Sequence, residues 1–287
     1  MIKRFTSSLK GNLEKKDARF REFSPYLDNY VLYSSGNRAI GMITIKKEPV
    51  VFLAPRGTKL AELHVFQENL KHVEWKELET FSKLEGVAFL IISLSRQAVE
   101  DISIVKEQGM EKYESSVEMA KSDLQRYRYD ESHYYQYQVN SPENFDWYFD
   151  MVQECLNGSQ DERAQRILER ISHGEKVFDY NRMKIWMALT TVYVYKPGGK
   201  ITGFVELNHS KQRLMNIGVM PEFRGKGHGK AILEFILTKT VSLGLKSLEL
   251  RLSENNHVAR KLYDRYGFIE KERKDHYWLV GLKTSSI

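Results

Sequence analysis

The sequence R-G-K-G-H-G, from Arg224 to Gly229, lies between a short apolar segment and a long helical pattern. The apolar segment, residues 214–219, is typical of a β-strand and is closed by Pro221. Residues 231–237 then carry apolar side chains at helical spacing. Glycines at alternate positions let a backbone curl with its N–H groups pointing inward, and the first turn of a helix adds unpaired N–H groups. The stretch therefore predicts a strand, a phosphate-binding turn and a helix.

Two common phosphate-binding patterns do not fit this stretch. A dinucleotide-binding turn needs G-x-G-x-x-G, whereas here the third glycine comes one residue early. Glu249 lies twenty residues after Gly229, but within a strand pattern and not at a strand end. A nucleoside-triphosphate loop needs a hydroxyl after G-K, and the residue after Lys230 is Ala231. An ordinary glycine turn remains open from this stretch alone.

A third loop pattern, [QR]-x-x-G-x-[GA], fits Arg224, Gly227 and Gly229. A second segment has the form N-x-x-A-x-x-L-Y-x-x-x-G-F, with these residues at the fixed positions: Asn256, Ala259, Leu262, Tyr263, Gly267 and Phe268. The interval between the two segments has room for one helix, one turn and one strand. Together they resemble the GNAT family of acyl-CoA N-acyltransferases.

This resemblance implies an α/β fold with a mixed, mostly antiparallel sheet flanked by helices. The implied element order is β-α-α-β-β-β-α-β-α-β-β. The sequence pattern agrees with a helix opened by Ser141-Pro142, a short helix over residues 161–171 and a hairpin of strands 186–195 and 201–207. The resemblance places a final hairpin near residues 273–277.

Length favours two domains, because a chain of 287 residues is long for one domain of about 150. A polar stretch at residues 126–133 predicts the boundary, giving a domain of residues 1–128 and a GNAT domain of residues 133–287. Length and composition do not predict what the first domain does; a dimerisation surface and a wall of the acceptor cleft are both open, and a homodimer is possible.

The first half resembles the second at a fixed offset. Leu94 and Leu252 are 158 residues apart, and so are Gly109 and Gly267. At this offset the loop residues correspond to Phe66, Asn69 and Lys71, and Asn256 corresponds to Ala98. We therefore expect a degenerate GNAT-like domain without a cofactor site; an unrelated small α/β domain is the alternative.

The family resemblance implies acetyl-CoA as cosubstrate. The backbone N–H groups of the loop would hold its pyrophosphate, the strand before the loop would pair with the pantetheine arm, and Asn256 would bond a pantetheine amide. The implied cofactor-binding residues are Ile217, Val219, Arg224, Gly225, Lys226, Gly227, His228, Gly229, Lys230 and Asn256. Asn256 has a second interpretation as a helix cap, although Asn255 could take that role.

Two residues are candidates for the chemistry. Tyr263 matches the family position that protonates the leaving thiolate, with a buried core tyrosine as the alternative. The family often carries a carboxylate on the strand before the loop, but Met215 and Asn216 occupy that region here. Glu206 on the preceding strand is the candidate general base, directly or through water, unless it is a surface charge; His209 is a weaker candidate.

Composition excludes several other classes. The net charge of +6 is spread over the chain, with 21 basic and 19 acidic residues in 1–130 and 23 and 19 in the remainder, so nucleic-acid binding is not predicted. One cysteine excludes an internal disulfide and agrees with a cytoplasmic location. The apolar run 87–92 is too short to span a membrane, residues 1–6 lack the apolar core of a signal peptide, and the histidines show no metal-ligand spacing.

The sequence thus predicts an N-acetyltransferase that moves an acetyl group from acetyl-CoA to a primary amine by direct attack in a ternary complex. The acceptor would be a small-molecule amine or an amine of a protein or peptide. Because no carboxylate stands near Met215, a non-catalytic sensor or interaction module that binds coenzyme A remains the alternative.

Overall fold

The computed structural model describes residues 1–16, 20, 29–46, 58–66, 69–175, 177–178 and 180–280. It divides into two compact units. The first consists of residues 1–115 and the C-terminal residues from Lys274 onward, and the second of residues 116–273. No helix in the described ranges has the length and hydropathy needed to cross a membrane.

The first unit forms a sheet with helices packed on it. Its elements are β1 (Ile2–Arg4), α1 (Ser7–Lys16), β2 (Asn29–Tyr33), β3 (Ala39–Lys46), β4 (Lys59–Val65), α2 (Trp75–Leu84), β5 (Val87–Ser95) and α3 (Val99–Glu107). Strands β1 to β4 pair antiparallel in sequence order, and β4 pairs parallel with β5. Their buried side chains share one core with Leu78 of α2 and Val105 of α3.

Two long strands cross the boundary between the units: β6 (Glu111–Lys121) and β12 (Ile269–Val280). Residues 116–121 of β6 pair antiparallel with a strand of the second unit, and residues 274–280 of β12 pair antiparallel with β5 of the first. Each unit therefore contains a strand from the other half of the sequence.

The second unit contains the remaining elements. They are β7 (Tyr134–Tyr137), α4 (Pro142–Leu156), α5 (Glu162–Ser172), α6 (Tyr180–Ala188), β8 (Thr191–Tyr195), β9 (Gly203–Asn208), β10 (Arg213–Val219), α7 (His228–Ser242), β11 (Leu248–Ser253) and α8 (His257–Arg265). One core lies between the sheet and α7 and α8, and another between the sheet and α4 and α6. The structure confirms the predicted mixed sheet flanked by helices.

Local sequence explains where the helices of this unit begin. Ser141 Oγ accepts from Asn144 N at 3.2 Å, and Pro142 occupies the first turn of α4. Asp161 Oδ1 accepts from the backbone N–H groups of Arg163 and Ala164 at the start of α5. Polar side chains thus satisfy backbone donors that a helix start leaves open.

The sequence offset of 158 residues recurs in the elements. Helix α3, Val99–Glu107, and helix α8, His257–Arg265, have the same length and begin 158 residues apart. Gly109 and Gly267 follow them with the same φ of 76°. The structure thus repeats one strand–helix–strand pattern at the spacing that the sequence indicated.

The strand exchange keeps the register of this repeat. Ser95 of β5 pairs with Lys274, and Ser253 of β11 pairs with Ser116. Ser95 precedes Ser253 by 158 residues, and Ser116 precedes Lys274 by the same number. Each of β5 and β11 therefore pairs with the counterpart of the strand that follows it in sequence.

The two compact units divide at Ser115–Ser116 and at Arg273–Lys274, and the domains of residues 1–128 and 133–287 stay a prediction. The structure differs from the sequence prediction at two places. Residues 186–188, predicted as strand, end helix α6, because Met183 and Met187 lie four residues apart and pack together against α4. The predicted final hairpin is instead the single strand β12, whose residues 274–280 pair with β5 of the first unit.

We predict that Tyr277→Ala destabilises the first unit, although the residue lies near the C-terminus. Tyr277 is 1% exposed within the core of that unit, and removing a large buried ring costs about 3–5 kcal/mol. Hydrogen exchange should show amides of β5 losing protection before those of α7. Ile269→Ala, on the same strand but 65% exposed, is the control. Loss of protection in α7 first would place the end of β12 in the second unit.

Candidate functional site

A groove opens in the second unit where β10 leaves β11. The parallel ladder between these strands has two pairs, Arg213 with Glu249 and Leu214 with Leu250. Strand β10 continues to Val219, paired on its other side with β9. Beyond the second pair, the backbone groups on the β11 side of β10 are left without a strand partner, as the sequence resemblance implied for Ile217 and Val219.

A β-bulge at Met215 accompanies this departure. Leu214 pairs with Leu207 of β9, and Asn216 pairs with the next residue, Glu206, so Met215 is one extra residue on β10. Leu214 lies in the core against α7, whereas Asn216 faces the α4 side. Asn216 is exposed in the middle of its strand, while every residue of β9 is buried.

The glycine turn follows directly after β10. A single 3-10 turn over Pro221–Phe223 leads to Gly225 and Gly227, whose φ angles are 75° and 86°. Gly227 is the N-cap of α7, and a Cβ at either glycine would meet no atom within 4 Å. Among the described residues, the next backbone N–H bonded to the protein is that of Ala231, to Gly227 O at 3.1 Å. The N–H groups of residues 225–230 are therefore available to an anion.

The basic side chains of the loop are used mainly within the protein. Arg224 Nε donates to Val219 O at 3.1 Å and its second guanidinium nitrogen to Cys155 O at 2.9 Å. Lys226 Nζ donates to Glu222 O at 2.9 Å. Lys230 pairs with Glu234 at 3.8 Å on the exposed face of α7. Arg224 thus ties the loop to the ends of β10 and α4.

The first turn of α7 lies beside β10 and α8. A Cβ at Gly229 would meet Leu262 of α8 at 3.8 Å and Val219 at 3.9 Å, which is ordinary contact. His228 Nδ1 lies 3.4 Å from the Tyr195 hydroxyl. The structure thus brings the loop, the end of β10 and helix α8 together.

Asn256 is the N-cap of α8, with Oδ1 accepting from Ala259 N at 3.1 Å. Asn255, the alternative cap in the sequence analysis, instead donates to Glu162 of α5. The capping interpretation of Asn256 is therefore confirmed, and its Nδ2 group is not used by the cap.

Tyr263 is 5% exposed and packs against Phe268 in the core beside α7, with ring centroids 5.5 Å apart. Burial, with a smaller contribution from the charge of Asp161, raises its pKa above the usual range. Within the described part of the chain its hydroxyl has no hydrogen-bond partner. The hydroxyl therefore carries its proton at neutral pH.

Glu206 is fully buried on the opposite side of the sheet from Tyr263. Its Oε1 accepts from the Tyr148 hydroxyl of α4, and its Oε2 accepts from Asn216 Nδ2 at 2.6 Å. Burial raises the pKa of Glu206 to about 8, although the Asn216 hydrogen bond opposes the shift. The alternative of a surface charge is wrong, because helix α4 packs on this side of the sheet and covers the carboxyl.

Three other polar residues near the groove have structural roles. Asp161 caps α5 and its Oδ2 accepts from Ser253 N at 3.3 Å, joining α5 to the end of β11. His209 bonds Thr191 Oγ1 at 2.5 Å. Burial raises the pKa of the Cys155 thiol to about 12, so it is not a thiolate. No cluster of metal ligands occurs among the residues that the structure describes.

The corresponding part of the first unit is built differently. Its parallel ladder between β4 and β5 has five pairs instead of two, so the strands stay together for longer. Phe66 and Asn69, at the positions of the loop residues, are buried. Ala98 precedes α3 without a side-chain cap.

Residues 149–268 match the sequence profile of the Acetyltransferase (GNAT) family. This range runs from α4 to the end of α8 and includes the bulge, the loop and the groove. Residues 149–268 are therefore similar to members of that family. The two motifs identified in the sequence both lie within this range.

Curated relatives match about a quarter of the chain. The [Ribosomal protein bS18]-alanine N-acetyltransferase of Haemophilus ducreyi is 31% identical over 65 residues, which are 23% of this chain and 45% of that protein. The enzyme of the same name from Escherichia coli is 29% identical over 82 residues, or 28% of this chain and 55% of that protein. The chain spans about half the length of these relatives.

Solved structures resemble the whole chain in fold. A GCN5-related N-acetyltransferase from Sphaerobacter thermophilus superposes with a TM-score of 0.60 at 13% identity, covering 96% of this chain and 90% of that one. A tandem GNAT protein from the clavulanic acid biosynthesis pathway gives a TM-score of 0.58 at 14% identity, covering 92% and 86%. At these identities the likeness concerns the fold alone.

Sequence analysis missed two features of the second unit. Tyr148 lies in the apolar pattern of α4, and its bond to Glu206 across 58 residues left no local signal. Asn216 was noted as a departure from the family pattern, but its pairing with Glu206 depends on the bulge. Alternation of polar residues on β10 breaks at Met215, which is the signal that could have revealed it.

We predict that Glu206 makes stability depend on pH. Its pKa is raised from 4.5 to about 8, so between these values the folded chain retains a proton that the unfolded chain releases. The free energy of unfolding should fall as pH rises, by up to about 1.4 kcal/mol per pH unit from this group. Urea unfolding of the wild type and Glu206→Gln between pH 5 and 8 measures it, because glutamine has no such proton. Parallel curves for the two proteins would contradict the buried carboxyl.

Proposed function

We propose that this protein is an N-acetyltransferase that moves an acetyl group from acetyl-CoA to a primary amine. The observation that carries the proposal is the two-pair ladder between β10 and β11, followed directly by a glycine turn with open N–H groups. The first supports a groove for an extended amide-containing arm, and the second an anion site at a helix start. Coenzyme A has both parts in one molecule.

The backbone carries the main contacts in this proposal. The N–H groups of residues 225–230 would hold the pyrophosphate, since Arg224 and Lys226 already bond carbonyl groups of the protein. Ile217 and Val219 would offer backbone groups to the pantetheine arm, and Asn256 Nδ2 would donate to one of its amides. Lys230 and His228 would add charge and polar contact around the same turn.

The chemistry proposed is direct attack. The bound thioester supplies an activated acetyl group; a nitrogen–carbon bond forms, the carbon–sulfur bond breaks, and a proton leaves the amine. Tyr263 would stabilise the departing sulfur. A thiol has a pKa near 8.5 and burial raises that of Tyr263 above its usual value, so complete transfer of the proton is uphill. Tyr263 therefore acts chiefly as a hydrogen-bond donor while the bond breaks.

Glu206 is the proposed acceptor of the amine proton, and its burial limits the path by which that proton can reach it. A fully buried carboxyl cannot touch an amine in the groove, so the proton would travel through a bridging water. The pKa of about 8 means that the carboxyl is mostly protonated at neutral pH and becomes an effective base as pH rises through that value. We expect the rate to rise over the same range.

The acceptor class follows from the relatives and stays a proposal. Curated relatives are named for acetylation of an alanine of ribosomal protein bS18, which supports an amino-terminal amine of a protein or peptide. A small-molecule amine is the alternative. In the first unit, the five-pair ladder and the buried Phe66 and Asn69 support a degenerate GNAT-like domain that does not bind the cofactor.

Calorimetric titration with acetyl-CoA tests the cofactor proposal. We expect one molecule per chain, with affinity at least roughly 30-fold weaker in Gly227→Glu, because a strained side chain and a negative charge enter the loop. The control is Gly244→Glu at the other end of α7, where φ is 72° and the space is also open. Two sites would mean that the first unit binds as well, and no binding would remove the enzymatic proposal.

Turnover separates an enzyme from a non-catalytic sensor. We expect wild-type chain to acetylate at least one member of a panel of primary amines and peptides with free amino termini. Tyr263→Phe should lower kcat by about 10²–10⁴-fold while acetyl-CoA still binds. Tyr266→Phe is the control and should keep its kcat: Tyr266 is the C-cap of α8, and its hydroxyl donates to Glu234 of α7 at 2.6 Å. Binding without any turnover would favour the sensor.

A further inference from the structure

Asn216 occupies an unusual position in the groove. It is exposed, although it lies in mid-strand beside the wholly buried β9. Its Nδ2 donates to Glu206 Oε2 at 2.6 Å. In the described part of the chain no donor reaches Asn216 Oδ1, so this exposed residue has a carbonyl oxygen whose lone pairs are available.

The buried Glu206 carboxyl fixes the orientation of the Asn216 side-chain amide. Glu206 is itself held on both oxygens, by Tyr148 on Oε1 and by Asn216 on Oε2. Releasing Asn216 would leave a buried carboxyl oxygen without a donor, which costs more than an exposed hydrogen bond gains. Once ionised, at pH above about 8, the buried carboxylate accepts on both oxygens and therefore keeps Nδ2 inward and Oδ1 outward.

An attacking amine needs such an acceptor. Its lone pair must point at the thioester carbon, so its N–H bonds point elsewhere, and an oxygen that accepts one of them fixes the approach. A neutral primary amine has two N–H bonds, and one can stay on an acceptor while the other loses its proton. A secondary amine has one N–H bond for both purposes.

We propose that Asn216 positions the acceptor nitrogen and selects primary amines, its Oδ1 accepting one amine N–H while Glu206 holds the amide in place. This inference rests on the acetyltransferase proposed above. Asn216 exchanges no proton: the nitrogen–carbon bond forms, the carbon–sulfur bond breaks, and the amine proton leaves by the second N–H. Glu206 holds Asn216 whether or not it also accepts that proton.

The test compares two acceptors in matched variants. The probes are the fastest primary amine of the panel and its N-methyl derivative, with release of coenzyme A thiol as the assay. Asn216→Ala should lower kcat/KM for the primary amine by about 5–30-fold and lower the primary-to-secondary preference by a similar factor. Binding of acetyl-CoA, measured by calorimetry, should not change.

Variants of the buried partners separate positioning from proton transfer. Glu206→Gln retains an oxygen for Asn216 Nδ2 and should keep the preference even if kcat falls. Glu206→Met removes the oxygen and should lose the preference as Asn216→Ala does, with the double variant no worse than either. Tyr148→Phe removes the donor on the other carboxyl oxygen and should leave the preference intact. Urea unfolding confirms that each variant is folded; if Glu206→Met is not, Asn216→Ala and Glu206→Gln alone decide.

The possible results distinguish failure of the role proposed for Asn216 from failure of the proposed acetyltransferase activity. Wild-type turnover with an unchanged preference in Asn216→Ala would overturn the role of Asn216 and leave the acetyltransferase intact. Loss of the preference in Glu206→Gln would show that a side-chain oxygen at position 206 does not orient the Asn216 amide, and would overturn the role of Glu206 in this inference. No turnover of any amine by the wild-type chain would overturn the proposed function and this inference together.

Discussion

One extra residue in a strand, Met215, is the constraint on which the groove depends. A bulge increases the local twist and shifts the residues after it to the other face of the sheet. Here it follows the last pair of the ladder between β10 and β11 and turns Asn216 toward α4. The backbone groups that lose their strand partner need water or a ligand, because an unpaired buried N–H or C=O is costly. The groove is thus a consequence of the pairing.

The charges around the groove are less free than the sequence suggests. The net charge of +6 and the basic residues of the loop suggest that lysine and arginine side chains bind the phosphate. In the structure Arg224 instead closes the loop onto the carbonyl groups of Val219 and Cys155. A backbone anion site needs no free side chain, since the N–H groups and the helix dipole act together.

Much of the second unit was predictable because its signals are local. The glycines of the loop, the caps of α4 and α5 and the motif around Tyr263 each depend on a few neighbouring residues. The predictions that differed concern pairing over long distances. A hairpin near residues 273–277 and an unbroken strand have the same alternation, and only the partner strand, β5, decides between them. The burial of Glu206 likewise depends on Tyr148, 58 residues away.

The exchange of β6 and β12 also reverses the order in which the units can be completed during synthesis. The first unit needs residues 274–280 for its sheet, so it stays unfinished until the whole second unit, residues 116–273, has left the ribosome. The second unit has no such delay, since residues 116–121 of β6, which pair with its strand β11, are synthesised before the other residues of that unit. The N-terminal unit must therefore wait with the edge of β5 unpaired, and an exposed edge of apolar sequence is where aggregation begins.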